Sequence, residues 1–261
     1  MITPASTTAI STSDTTSITI RGCDLIEDVL GKKSFVGMLY FLLTGRDPSL
    51  PEESVLNACM ACIMEHGINP STIVARLVSD NVPAEPQVAI AAGLLTVGSV
   101  FAGTSEQCAQ VLTDLAADVE RDGTSAVQDT ADRLLESGQP IAGFGHLHHK
   151  PDDPRSYRLF EVAREHPIGH KYMDLLLELS AAIDTRKGKH VTINATGAIG
   201  ALLLDIGLPV QAIRCVSVVA RAAGLSAHVL EEKGAPTARA LWRAGRDAVP
   251  YKQQPPANGA S

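Results

Sequence analysis

The sequence predicts an all-α protein, and three observations lead to that prediction. Aromatic residues make up only 4% of the 261 residues, whereas hydrophobic residues make up 45%. Alanine and leucine supply much of that apolar content, which favours closely packed helices over sheets. Apolar residues also recur at helical spacing along most of the chain, between breaks marked by glycine and proline.

Boundary signals define the individual helices. Ser34 is placed to cap a helix that closes on Gly45, and Ser71 is placed to cap another that begins at Thr72. Further helices are expected over residues 52–65, 83–95, 105–121, 125–137, 153–165, 171–185, 198–205, 210–223 and 225–232. Residues 15–22 alternate between polar and apolar side chains, which predicts a short strand or an extended arm.

Composition also limits the functional class. The net charge of −7 argues against binding to nucleic acid or to an anionic membrane, so anion recognition requires a local basic pocket. No run of about 18 apolar residues is present, and no membrane span is expected. Five scattered cysteines fit a reduced, cytoplasmic setting. Cys59 and Cys62 lie in an apolar helical run and are expected to be buried thiols, with redox or metal chemistry as the alternative.

One loop in the middle of the chain, residues 142–155, concentrates chemically useful side chains. Its glycines, Gly143 and Gly145, let the backbone turn sharply and approach a ligand. His146 follows them, and a histidine can change its protonation state near neutral pH. Lys150 and Arg155 supply cations suited to carboxylate or phosphate. The sequence therefore predicts an active-site loop for an anionic substrate.

Two further histidines in this loop raise the alternative of a metal cluster. His148 and His149 follow His146 closely, but no carboxylate or cysteine precedes them at a ligand-like offset. We therefore expect His148 and His149 to be exposed or to support the site from outside, and we expect no metal.

Four segments, taken in order, resemble the citrate synthase superfamily, and most of all its citryl-CoA lyase type, which includes the citrate-synthase-like module of ATP-citrate lyase. Each segment alone is a weak match, but four in the same order and at compatible spacing are specific. The segments are Ile20–Asp28, Phe41–Pro48, Gly143–His146 with Asp153–Arg155, and Val219–His228.

This resemblance implies an all-α fold in which a smaller domain is inserted into a larger one. The large domain would comprise residues 17–104 and 210–249, and the small domain residues 105–209. Members of the family form homodimers in which each active site is completed by the partner, so a homodimer is implied here. Composition adds two flexible ends, residues 1–16 and 250–261.

The resemblance also implies roles for two histidines. His146 matches the family histidine that contacts the hydroxyl or carbonyl oxygen of the substrate and serves as an acid, base or electrophile; the alternative is a histidine that caps the following helix. His66 matches a histidine that binds a substrate carboxylate in the lyase-type proteins. The alternative for His66 is an ordinary residue at a helix end, where the helix dipole favours it.

Cationic residues of the family likewise have counterparts in this chain. Arg155, Arg221 and Arg243 match arginines that bind substrate carboxylates, with Arg243 reaching the partner's site. Lys150 and the backbone of Gly143, Phe144 and Gly145 match the region that binds the phosphates or the adenine of coenzyme A.

Two departures from the family pattern bear on the reaction. Phe101 stands where citrate synthases have a histidine that stabilises the acetyl-CoA enolate, and the lyase-type relatives also carry phenylalanine there. Thr196, two residues after Asn194, stands where the family has a carboxylate base. Threonine has no accessible pKa for removing a carbon-bound proton. The reaction expected is therefore a carbon–carbon lyase reaction on a citryl-CoA-like thioester, giving acetyl-CoA and a 2-oxo acid.

Other functions remain open on the same pocket. The chain is alternatively a condensing enzyme or thioester hydrolase for another acid, or a catalytically weakened CoA-binding homologue. In each case coenzyme A enters as a thioester substrate or ligand, and no metal or redox cofactor is implied.

Overall fold

A computed structural model describes residues 6–100 and 103–253 of the chain. Within those ranges the protein forms eleven α-helices and one small sheet, which confirms the all-α prediction. The helices are α1 Phe35–Thr44, α2 Leu50–Met64, α3 Pro70–Asn81, α4 Pro86–Leu94, α5 Thr104–Asp122, α6 Ser125–Glu136, α7 Pro154–Arg164, α8 Lys171–Lys187, α9 Ala195–Asp205, α10 Val210–Gly234 and α11 Ala238–Ala248.

The small sheet lies at the start of the described chain. Its three antiparallel strands, in spatial order, are β1 Ser11–Ser13, β2 Ile18–Ile20 and β3 Cys23–Asp24. Between β1 and β2 the Asp14 carboxylate accepts the backbone N–H groups of the two residues that close the turn. The strand expected within residues 15–22 is thus present as β2. Strand β1 falls within residues 1–16, which composition predicts to be a flexible end. Pairing with β2 orders Ser11–Ser13 within it.

Capping side chains explain where the first long helices begin. Ser34 accepts a hydrogen bond from the backbone N–H of Gly37 at the start of α1, as predicted, and Gly45 ends α1 with a φ of 83°. The predicted cap of α3 is wrong by two residues. Asn69, and not Ser71, caps α3, because Pro70 occupies the first helical position, where its missing N–H has no cost.

Two compact units make up the chain. The first unit comprises Met1–Met64 and Gly98–Ala220, and the second comprises Glu65–Val97 and Arg221–Ser261. These bounds differ from the large and inserted domains expected at residues 17–104 with 210–249 and at residues 105–209. That expected division stays a prediction.

Helix α9 is the central element of the first unit. Apart from Thr196 and Asp205 it has no polar side chain, and Ile199, Leu202 and Leu203 are completely buried. The contact with α5 is close at Gly200, because a Cβ atom there would lie 2.6 Å from the backbone oxygen of Ser105. Packing therefore fixes α9, whose first turn belongs to the predicted site.

The second unit has its own smaller core. Ala75 of α3, Ala89 of α4, and Leu225 and Val229 of α10 are buried together. Helices α3 and α4 approach closely at Gly93, where an added Cβ would lie 2.8 Å from the backbone oxygen of Ser71. The two chain segments of this unit are thus joined where α10 packs on α3 and α4.

Helix α10 runs without interruption for 25 residues, whereas the sequence predicted a break at Gly224. A glycine inside a helix costs only about 0.5–1 kcal/mol relative to alanine, and burial of Leu225 and Val229 on the next turns outweighs that cost. By length and composition alone α10 could cross a membrane. One such helix is weak evidence for a span, because a core helix passes the same test.

The two thiols of the Cys59–Cys62 pair behave as apolar groups. Cys59 is buried and Cys62 is half-buried on α2, and both are free thiols. Burial raises the pKa of each thiol above its usual range, which disfavours the reactive thiolate.

Asp205 gives the fold a measurable dependence on pH. Its carboxylate accepts the backbone N–H groups of Tyr172 (2.8 Å) and Met173 (3.0 Å) at the start of α8, while burial raises its pKa to about 6. The folded state therefore holds this proton at a pH where the unfolded chain has lost it, so the contribution of Asp205 to stability falls as pH rises through about 6.

We expect Asp205→Asn to remove that contribution. The free energy of unfolding of the native protein minus that of Asp205→Asn, measured in urea between pH 4 and pH 7, should decrease as pH rises. A constant difference over this range would contradict the effect of burial on Asp205.

Candidate active site

The loop predicted from the sequence is paired with the segment that leads into α9. The backbone N–H of Gly145 donates to the oxygen of Thr192 (2.7 Å), and the N–H of Asn194 donates to the oxygen of Gly143 (3.0 Å). These bonds fix residues 143–145 beside residues 192–194, so the loop and the first turn of α9 form one local structure.

Glycine is required at the point where this loop passes α9. Gly143 has a φ of 85°, and a Cβ atom there would lie 2.6 Å from Sγ of Cys108 and 2.9 Å from Cα of Gly197. A Cβ atom on Gly197 would lie 2.5 Å from the oxygen of Gly143. Two glycines facing each other therefore allow a backbone contact that other residues would block.

Asn194 caps α9 and also holds the loop. Its Oδ1 accepts the backbone N–H groups of Thr196 (3.1 Å) and Gly197 (3.2 Å), and its Nδ2 donates to the oxygen of Gly145 (2.9 Å). The Thr196 hydroxyl donates to the same Oδ1 (2.6 Å) and lies 2.8 Å from the hydroxyl of Thr104. Thr196 is thus a neutral hydrogen-bonding group at the helix start.

His146 is fixed by the backbone that follows it. Its Nδ1 accepts the N–H groups of His148 (3.1 Å) and His149 (2.9 Å), and its ring lies against that of His149, with 4.4 Å between the centroids. An Nδ1 that accepts hydrogen bonds carries no proton, so the neutral imidazole carries its proton on Nε2. His148 and His149 hold His146 through their backbone N–H groups, as part of a turn.

Arg155 stands next to that imidazole and is itself held by a buried acid. Its Nη2 lies 3.2 Å from Nε2 of His146. Its Nε and Nη2 donate to the two oxygens of Asp153 (3.0 and 2.8 Å), whose side chain is completely buried. Asp153 also accepts the N–H of Ala195 (3.0 Å) in the first turn of α9. Asp153 therefore joins α7, α9 and the predicted site.

The charge on Asp153 is maintained by these donors. Burial alone would raise the pKa of this carboxyl, but the hydrogen bonds and charge of Arg155, together with the N–H of Ala195, lower the pKa below its usual range. A permanent anion then holds the Arg155 guanidinium in one orientation.

A histidine with no predicted role also holds this loop in place. His190 lies between two acids: its Nδ1 is 2.6 Å from Asp184 and its Nε2 is 2.8 Å from Asp152. Hydrogen bonds to these acids raise the pKa of His190 above its usual value. Residues 187–189, just before it, show no periodic pattern. Nothing in the sequence alone therefore indicated that His190 holds the loop.

A cavity of about 270 Å³ opens beside the loop. Phe144 and Gly145 contribute to its lining, together with Leu134, Leu135, residues 138–141, Lys187 and Val191. Lys150, predicted with Phe144 and Gly145 for coenzyme A, is exposed on the loop and is not among the lining residues.

Three other predicted residues belong to the second unit. His66 is exposed after α2, Arg221 is buried in α10 with 5% exposure, and Arg243 is exposed on α11; all three belong to the second unit. Phe101 falls outside the described residues. The structure thus brings together His146, Arg155, Asn194, Thr196 and Gly143–Gly145 within the first unit.

Comparison with known proteins identifies the family of this chain. The family model "Citrate synthase, C-terminal domain" matches residues 46–244, most of the chain. The chain belongs to the citrate synthase family. It is 29% identical to the citrate synthase of Haloferax volcanii over 81% of this chain and 55% of that one. It is 26% identical to a probable ATP-citrate synthase of Dictyostelium discoideum over 74% of this chain and 32% of that one. The chain spans about half the length of most of the curated relatives it matches.

Solved structures extend the likeness to nearly the whole chain. The citryl-CoA lyase of Hydrogenobacter thermophilus has a TM-score of 0.86 and 30% identity and covers 98% of both chains. The ATP citrate lyase of Methanosaeta concilii, solved with (3S)-citryl-CoA, has a TM-score of 0.80, covering 97% of this chain and 42% of that one. Its 19% identity supports the shared fold alone.

The facing glycines make a prediction about stability. We expect Gly197→Ala to lower the free energy of unfolding by about 1–3 kcal/mol, because the added methyl group displaces the Gly143 backbone. Gly169→Ala is the matched control, since a Cβ atom there meets nothing within 4 Å. Chemical denaturation of both variants measures the difference. Equal stability would show that the close contact is absent.

Proposed function

We propose that the protein cleaves citryl-CoA, or a closely related thioester, to acetyl-CoA and a 2-oxo acid. The observation that carries this proposal is the likeness to a citryl-CoA lyase over 98% of both chains at 30% identity. The geometry of the loop supports it independently, because two hydrogen-bond donors stand side by side in the structure.

Those donors are Nε2–H of His146 and the Arg155 guanidinium, 3.2 Å apart. Since both nitrogens carry hydrogen, a negatively charged oxygen placed beside them can accept from both. Such an oxygen arises when the tertiary hydroxyl of a citryl group loses its proton. Carboxylates of the substrate are further partners proposed for Arg155, Arg221 and Arg243.

The proposed reaction is a retro-aldol cleavage. The hydroxyl proton passes to a base other than His146, whose Nδ1 is occupied by backbone N–H groups; His66 is the residue we assign. The alkoxide becomes the carbonyl of the 2-oxo acid as the carbon–carbon bond breaks. The bonding electrons form the enolate of acetyl-CoA, which then takes a proton. Every step is redox-neutral, so no redox cofactor is proposed.

Thr196 fits this direction better than condensation. Condensation begins by removing a proton from the methyl group of acetyl-CoA. This step needs a general base, and such a base raises the rate about 10²–10⁴-fold. Thr196 offers a hydroxyl that is already bonded to Asn194 and Thr104. Cleavage requires no removal of a carbon-bound proton. A CoA-binding homologue with little activity is the second candidate, and Thr196 is the observation that favours it.

Coenzyme A is proposed to bind along the cavity at Phe144 and Gly145, whose mixed lining has Lys187 as its cation. Lys150 is retained as a contact for a phosphate group at the exposed part of the loop. We further propose a homodimer in the cytoplasm, as the family resemblance and the free cysteines favour.

Mixing the protein with citryl-CoA and following acetyl-CoA by chromatography tests the proposal, and His146→Asn tests the role of the imidazole. The Asn amide oxygen can still accept the backbone N–H groups that bind Nδ1, but it lacks the Nε2 donor. We expect kcat to fall about 10²–10³-fold. His148→Asn is the control and should change kcat little. Unchanged turnover in His146→Asn would remove His146 from the reaction, and CoA binding without any turnover in the native protein would favour the binding homologue.

A second prediction concerns Thr196→Asp, which restores a carboxylate at the start of α9. We expect the rate of condensation of acetyl-CoA with oxaloacetate, measured by CoA release, to rise at least tenfold, because a general base is then present. Thr196→Asn is the matched control without a titratable group. If both variants gave the same rate, the missing base would not be what limits condensation.

A further inference from the structure

The second unit contains a buried ionic network centred on Arg76. Only 2% of the Arg76 side chain is exposed, and its Nη1 donates to Glu232 (2.8 Å), which is 3% exposed, while Nη2 contacts Glu231. Glu232 also accepts the N–H groups of Thr237 and Ala238, each at 2.7 Å, where α11 begins. Arg76 and Glu232 are therefore fixed in position by charge and by backbone.

His228 extends this network to the residue that precedes His66. Its Nδ1 accepts from Nε of Arg76 (2.9 Å), and its Nε2 lies 3.0 Å from Oε2 of Glu65. The other oxygen of Glu65 accepts the backbone N–H groups of His66 (2.8 Å) and Gly67 (2.6 Å). A continuous set of hydrogen bonds thus runs from buried Arg76 to the backbone of His66.

The two nitrogens of His228 have separate tasks. Since Arg76 donates to Nδ1, the imidazole proton is on Nε2 and is donated to Glu65. The Glu65 side chain is 43% exposed, and the bond from His228 adds a side-chain partner to the two backbone N–H groups that its carboxylate already accepts. Although partial burial raises the pKa of Glu65, hydrogen bonds from His228 and the turn lower it below its usual range, and the acceptor stays ionised.

We propose that His228 is a positioning residue, which holds Glu65 against the backbone of residues 66 and 67 and so sets the direction of the His66 side chain. The inference rests on the proposed function, in which His66 contacts the substrate. The network uses residues of α3 and α10 to orient a turn that has no regular secondary structure of its own.

Two amide substitutions separate the tasks of the two nitrogens. In His228→Gln the amide nitrogen can occupy the place of Nε2 and donate to Glu65. In His228→Asn the amide oxygen can occupy the place of Nδ1 and accept from Arg76, but nothing reaches Glu65. Both variants are uncharged and retain one of the two hydrogen bonds, so they are controls for each other.

We expect His228→Asn to lower kcat for citryl-CoA at least tenfold with a smaller change in KM, because His66 is the proposed base, and His228→Gln to keep kcat within about threefold of the native value. Amide hydrogen exchange at His66 and Gly67, measured by NMR, should be at least tenfold faster in His228→Asn than in His228→Gln. Thermal unfolding of both variants checks that neither effect reflects general loss of structure.

The outcomes distinguish this inference from the proposed function. If native protein does not cleave citryl-CoA but the exchange rates differ as expected, the positioning stands and the proposed function fails. If the native protein is active and both variants show the same kcat and the same exchange at His66, His228 does not position His66. Losses of activity in both variants that simply follow their unfolding temperatures also overturn the inference.

Discussion

Asp153 is a completely buried carboxylate that binds Arg155 through two nitrogens and α9 through the N–H of Ala195. An ion pair of this kind is costly to break, about 3–5 kcal/mol, because one charge would remain buried alone. The position of Arg155, and with it the distance from its guanidinium to His146, depends on this carboxylate. The first turn of α9 is set by the same group, so the loop and the central helix of the first unit cannot move independently at this point.

The arrangement around α9 also limits the chemistry. Asn194 uses its amide oxygen to cap the helix and its amide nitrogen to hold the loop, and Thr196 supplies a hydroxyl, which is not a base for a carbon-bound proton. What the loop offers instead is a pair of donors, the Nε2–H of His146 and the Arg155 guanidinium. Donors stabilise charge on oxygen, and they do not remove protons from carbon. This pair of donors is suited to stabilising a negatively charged oxygen, as the proposed cleavage requires.

Local features of the structure were predictable because their causes are local. Ser34 and Gly45 bound α1 as expected, and the glycines of the loop lie where a sharp turn and a close contact occur. Features that depend on distant residues were not predictable. The sequence shows that Arg76 and His228 exist, but not that a hydrogen bond joins residues 152 positions apart. The sequence predicted a helix end at Gly224, because the burial of the residues that follow it depends on tertiary packing. The pairing of β1 with β2 likewise orders residues whose composition alone predicts flexibility.

Cleavage of citryl-CoA in D₂O tests the central claim most directly, with the products identified by mass spectrometry. The account predicts a 2-oxo acid and acetyl-CoA that carries a single deuterium in its methyl group, since the departing enolate takes one proton from solvent and Thr196 cannot remove it again. Release of free CoA and the tricarboxylic acid without acetyl-CoA would show thioester hydrolysis instead. Acetyl-CoA with a fully deuterated methyl group would reveal a base that repeatedly removes protons from that methyl group. Either result would contradict the account.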